Sequence, residues 1–233
     1  MLEATHYLPI ATTAVSAVFC GVLIRAVRER RSGPHLVWWA IGVACYGLGT
    51  ALESWITLGG NTAALTKAWY IAGALLGGYP LAQGTAYLLL KRRTANVLTA
   101  ITLGWVILAA VFVVLSPVSF AALDPQRPSG AVLEWQWVRL LTPLLNGYAA
   151  VLLIGGAVLS ARRYAKVAGQ HARAAGNVLI AAGAILPGIG GGFAKAGHVE
   201  VLYVGEFLGL LLIWSGYQAI ASQKHGVRRT APA

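Results

Sequence analysis

Seven stretches of about 20 mostly apolar residues follow one another along this chain, and that repetition limits its fold more than any other feature. They run over residues 7–27, 36–58, 68–90, 97–116, 138–160, 177–194 and 199–221. A helix rising 1.5 Å per residue needs about 20 residues to cross the hydrocarbon core of a bilayer. Only 11% of the 233 residues are charged, less than half of what coats an ordinary soluble domain. The fold class expected is therefore all-α: a polytopic membrane protein of seven transmembrane helices, forming one transmembrane domain over 1–233. The first run has no basic segment before it and is too long for a cleavable leader, so it is expected to remain as a helix.

The charges orient the helices. Arg25, Arg28, Arg30 and Arg31 follow the first run, and Lys91, Arg92 and Arg93 follow the third. Arg162, Arg163, Lys166 and Arg173 follow the fifth, and Lys224, Arg228 and Arg229 follow the seventh. The opposite turns hold only Lys67, Arg127, Arg139 and Lys195. Basic residues accumulate on the cytoplasmic side of membrane proteins. The N-terminus is thus expected outside and the C-terminus, with a basic tail over 222–233, in the cytoplasm. The net charge of +11 is explained by these loops, so nucleic acid is not an expected partner. The bilayer is one, together with a membrane protein partner or a second copy of the chain. The excess of Arg over Lys, with abundant Ala and Gly, points to a bacterial cytoplasmic (inner) membrane.

Other residues fit the same placement. Trp38 and Trp39 mark one boundary, and Trp55, Trp69, Trp135 and Trp137 the other, as indoles prefer the headgroup region. The longest connection, 117–137, lies outside. Its Asp124-Pro125-Gln126-Arg127-Pro128 run is turn chemistry, and Leu133-Glu134-Trp135-Gln136-Trp137 suits an interfacial segment. Residues 69–77 and 202–209 echo each other, which would fit a 3+1+3 parallel repeat about the fourth helix.

Candidate chemistry is sparse. Glu206 lies roughly 10 Å into the seventh run by helical rise, and ionisable groups at such depth are costly. With Glu53, Asn146, Tyr70, Tyr203, Lys67 and Thr142 it would form an outward polar pocket for an unidentified ligand. The plainer reading pairs Glu206 with Lys195 or Lys67, or protonates it. Pro187, Gly190, Gly191 and Gly192 interrupt the sixth run, which has only about ten apolar residues before the proline. A bend there, with the glycines unwound or closely packed, is expected. Gly73, Gly77, Gly78 and Gly84, with Pro80, mark the third run as central, and the deep Gln83 requires a partner.

Cys20 and Cys45 read as small hydrophobes, with no zinc or disulfide spacing. The histidines sit at helix ends, so no haem pair is expected. No lysine is placed for a retinal Schiff base, and no cofactor or metal is expected. No catalytic set shares a depth, so an enzyme is not expected.

The pattern Trp39-x-x-Gly42-x-x-x-Tyr46-x-x-Gly49-x-x-x-Glu53, followed by Lys67-x-Trp69-Tyr70, resembles the seven-transmembrane N-terminal sensor region of bacterial histidine kinases. The resemblance spans the second and third runs. It implies a sensing role in which Glu53 and Lys67 take part, although no kinase is found in this sequence. Three functions stay open: a sensor-like or ligand-binding module acting through a partner, a small transporter or channel with a Pro/Gly-broken sixth helix, and an accessory subunit of a larger membrane complex.

Overall fold

The computed structural model describes residues 4–29 and 33–229. They are all-helical, without a strand. Six helices are long and apolar enough to cross a membrane: Thr5–Arg28, Pro34–Gly59, Arg92–Leu115, Gln136–Ala165, His171–Ala194 and Val199–Gln223. The chain forms two compact units, Met1–Ala149 and Ala150–Ala233.

The first unit begins with α1 (Leu8–Arg28) and α2 (Pro34–Gly59), which pack antiparallel. Small and hydroxylic residues form their seam. A Cβ on Gly47 would stand 2.8 Å from the Ser16 Cβ, and the Thr13 and Thr50 hydroxyls are 2.8 Å apart. Such residues let membrane helices approach closely, where apolar side chains gain little over lipid.

A second face of α2 carries residues 63–89, which run back along it antiparallel. A Cβ on Gly49 would come within 2.8 Å of the Gly73 Cα, one on Gly42 within 2.8 Å of the Leu81 nitrogen, and one on Gly84 within 2.8 Å of the His35 carbonyl. This return is not one helix. It consists of α3 (Ala63–Trp69), a π-helical turn (Tyr70–Leu75), a bend over 76–78 and α4 (Tyr79–Leu89). Pro80 has no N–H to give to Leu76, and its ring opposes a helical carbonyl there. Leu76 N–H bonds five residues back to Ile71 at 3.0 Å, and Gly77 N–H to Gly73 at 3.0 Å. A Cβ on Gly77 would collide with that Gly73 carbonyl. The break explains why the third apolar run is absent from the six continuous spans.

Next come α5 (Arg92–Leu115) and α6 (Leu141–Ala150). Leu75, Tyr79, Val106, Ala109 and Leu145 form one apolar cluster at the break; Tyr70, Val113, Leu133 and Val138 form another.

The second unit holds a π-helical turn (Val151–Gly155), α7 (Gly156–Ala165), α8 (His171–Lys195) and α9 (Val199–Arg229). A tight turn with Gly197 at φ +97° joins the last two, and α9 continues to Arg229, into the basic segment 222–233. The α8–α9 seam is built on glycines spaced by seven. Gly176 meets Gly216, Gly183 meets Gly209, and Gly190 meets Leu202. A seven-residue period keeps one stripe of each helix facing its partner. With no side chain on these positions the backbones touch: a Cβ on Gly183 would stand 2.5 Å from the Gly209 carbonyl, and one on Gly190 2.6 Å from the Leu202 Cα.

The glycines of this helix do not unwind, and the close packing expected of them is found at Gly190. Pro187 lies inside a continuous α8, and Gly190, Gly191 and Gly192 are helical. Of the three, Gly190 is packed on α9, while nothing lies within 4 Å of a Cβ on Gly191 or Gly192. Pro187 deprives the Gly183 carbonyl of its N–H donor. That oxygen lies against Gly209 instead, 2.7 Å from where its Cβ would be, with the proline ring 3.1 Å away; close Cα–H···O contacts of this kind are weakly attractive. The two helices equated by the sequence echo also differ, since 63–89 is broken and α9 is not.

Leucine at Gly183 must push α8 and α9 apart, whereas leucine at Gly191 enters open space. Overpacking of a tight seam costs about 1–3 kcal/mol. Gly183→Leu is therefore expected to lower the melting temperature in detergent sharply or prevent recovery of monodisperse protein, with Gly191→Leu close to wild type.

Candidate functional site

Residues 117–137 are a folded cap. Val118 and Leu133 form an antiparallel bridge, with Ser119 N–H donating to Val132 at 2.8 Å and Glu134 N–H to Pro117 at 3.0 Å. The Asp124 carboxylate accepts from the Gln126 and Arg127 backbone N–H groups at 2.8 and 3.1 Å, the turn that the sequence suggested. Val132 and Leu133 are fully buried, which anchors the loop by its apolar side chains.

Polar tethers bind this cap to the ends of α1, α2 and α3. The Arg127 guanidinium lies 2.6 Å from His6 Nε2. Since Arg can only donate, His6 accepts through that nitrogen. Thr57 Oγ1 donates to the Gln126 carbonyl at 3.3 Å, and Asn61 Nδ2 to the Asp124 carbonyl at 2.9 Å. Thr66 Oγ1 donates to Asn61 Oδ1 at 2.7 Å, which fixes the Asn61 amide for that role. Glu53 lies one helical turn before Thr57 on α2, roughly 6 Å by rise, and only 3% of it is exposed. His6 is equally buried. A carboxylate and an imidazole thus lie out of solvent at the capped end of the first unit.

The residues expected to share one pocket have separate surroundings. Lys67 Nζ donates to the Val114 and Ser116 carbonyls at 2.8 and 2.7 Å. It supplies a positive charge and donors to the C-terminus of α5, where carbonyls lack helical partners. Tyr70 is buried, and its hydroxyl is 2.9 Å from Thr142 Oγ1. Asn146 is exposed on α6. Tyr203 and Glu206 belong to the second unit, on α9; Tyr203 is buried and Glu206 half-buried.

A second polar group lies where α4 meets the start of α5. Gln83 is completely buried. Its Nε2 donates to the Ala95 carbonyl at 3.1 Å and to Thr99 Oγ1 at 2.6 Å, and its Oε1 accepts from the Tyr148 hydroxyl at 2.6 Å. Tyr87 donates to Asn96 Oδ1 at 2.9 Å, and the Tyr79 hydroxyl is 3.0 Å from Thr102 Oγ1. Trp38 lies parallel to Tyr87 and edge-on to Tyr79. The burial of Gln83 requires a partner, and this set supplies it. The sequence carries a signal for it: Tyr79, Gln83 and Tyr87 repeat every four residues, and Asn96, Thr99 and Thr102 every three, so each trio shares a helix face.

Among the described residues, no three His, Cys, Asp or Glu side chains are grouped to hold a metal ion. No protein family, no curated protein and no solved structure matches this chain.

Tyr148→Phe leaves the buried Gln83 oxygen without its donor, which costs about 1–3 kcal/mol. Gln83→Leu/Tyr148→Phe together should cost less than the two single losses added. The expected coupling, by thermal unfolding in detergent, is about 0.5–2 kcal/mol; strict additivity would contradict the bond.

Proposed function

We propose that this chain is an integral membrane module that binds a ligand or senses a signal at its capped end and acts through a partner protein. The observation that carries the reading is the folded loop 117–137, tied by His6, Thr57 and Asn61, with the buried Glu53 one helical turn before Thr57. A buried acidic side chain close to the tether points of a folded loop suits recognition of a small cationic or hydrogen-bond-donating group. The resemblance of the Trp39–Glu53 and Lys67–Tyr70 patterns to sensor regions agrees with this. Lys67 enters that reading as a positioning residue, which holds α5 beside the cap.

Seven crossings, with the N-terminus outside and the C-terminus in the cytoplasm of a bacterial inner membrane, form part of the proposal. Its supports are the fourteen basic residues on one set of turns and the return of 63–89 along α2 from Gly49/Gly73 to His35/Gly84. The transporter reading loses its main motive, because α8 is continuous. The break over 76–78 is filled by Leu75, Tyr79, Val106 and Leu145, an apolar filling unsuited to an ion path.

A thermal-shift screen of small amines, cations and polyols, run in parallel on wild type and Glu53→Gln, tests this directly. The expected outcome is a compound that raises the wild-type melting temperature by a few degrees and fails on Glu53→Gln. Stabilisers that act equally on both proteins would contradict a site at Glu53.

A further inference from the structure

A shallow groove of about 180 Å³ opens between α5 and α6 in the first unit, lined by Ile101, Thr102, Trp105, Leu144, Leu145 and Tyr148. Ile101 and Leu144 are 64% and 61% exposed, so the groove faces the surroundings. Three of its lining residues have polar atoms, and each turns that atom inward. Thr102 Oγ1 lies 2.6 Å from the Leu98 carbonyl, Trp105 Nε1 donates to the Leu141 carbonyl at 3.1 Å, and the Tyr148 hydroxyl donates to Gln83. What remains at the surface is hydrocarbon, in the middle of a span. Such a lining suits a flexible alkyl chain and offers nothing to a polar ligand.

The same face of α5 leads to a basic cluster. Thr94 lies seven residues before Ile101, on the same side of the helix and roughly 10 Å away by rise. Lys91 and Arg93 flank it, and Arg92 lies between them, over the Tyr87 ring at 5.3 Å. All three basic residues are exposed. Positive side chains at a helix N-terminus oppose the helix dipole, so this cluster does not serve the helix itself. An external anion would relieve it. The separation from cluster to groove fits within one leaflet, roughly 15 Å of hydrocarbon.

We propose that the groove and the Lys91–Arg93 cluster together form a binding site for one anionic phospholipid, with an acyl chain in the groove and the phosphodiester at Lys91 and Arg93. The site is independent of the capped end and of the sensing role.

The test is native mass spectrometry of the full chain in detergent, titrated with phosphatidylglycerol and with phosphatidylcholine of the same acyl chains. Wild type should bind the anionic lipid roughly 25-fold more tightly, at about five-fold for each of two basic side chains. Lys91→Gln/Arg93→Gln should therefore bring the two affinities together. Ile101→Trp, which fills the groove from α5, and Leu144→Trp, which fills it from α6, should each weaken the anionic lipid several-fold with the charges intact; a melting temperature near wild type identifies which of them is folded. Equal affinity of wild type for both lipids would overturn the site. So would a preference that survives the double charge variant, or wild-type binding in a folded groove variant.

Discussion

Close approach of helix backbones is the constraint on which this structure depends. In lipid an apolar side chain gains little by moving from acyl chains to another helix, so packing density and hydrogen bonds must hold the helices together. The glycine seam of α8 and α9 meets that need with backbone atoms alone. The same solution, mixed with hydroxyls, joins α1 to α2 through Ser16, Gly47, Thr13 and Thr50. It also joins α2 to residues 63–89 through Gly42, Gly49, Gly73 and Gly84.

The broken return along α2 has structural consequences at both of its ends. On one side of the break, α3 carries Lys67 to the C-terminus of α5, and the first residue of the π-helical turn, Tyr70, meets Thr142. On the other, α4 presents Tyr79, Gln83 and Tyr87 to α5 and α6. The π turn inserts an extra residue, which shifts the facing of α3 relative to α4. The short stretch 70–78 thus joins the Tyr70 contacts with Thr142 and Leu133 to the buried Gln83 network.

Much of this was legible in the sequence, and the failures have physical reasons. The apolar runs and the deep Gln83 could be read because membrane thickness and buried polar cost act locally on a chain. Pro80 and Pro187 looked alike, each set among glycines. What separates them is the partner. Gly209 lies against Pro187 and the Gly183 carbonyl, so α8 continues, whereas Gly77 and Gly78 beside Pro80 allow the chain to leave the helix. No local pattern carries that difference. The seven-residue spacing of Gly176, Gly183 and Gly190, with Gly209 and Gly216 answering it, was readable and would have placed the seam. The cap was not: His6 and Arg127 are 121 residues apart, and each looks like an ordinary loop residue. For Lys67 and Asn146 the sequence carries depth alone, which says nothing about the direction in which a side chain points.

We propose that residues 63–89 cross the membrane although their helix is broken. In a chain with Cys20 and Cys45 replaced by alanine, single cysteines at the exposed positions Ala64 and Thr94 can be labelled with an impermeant maleimide in intact cells. The cysteine at 64 is expected to react and the one at 94 to be protected until the membrane is permeabilised. Reaction of both in intact cells, or protection of both, would place the two ends of 63–89 on one side and contradict the crossing.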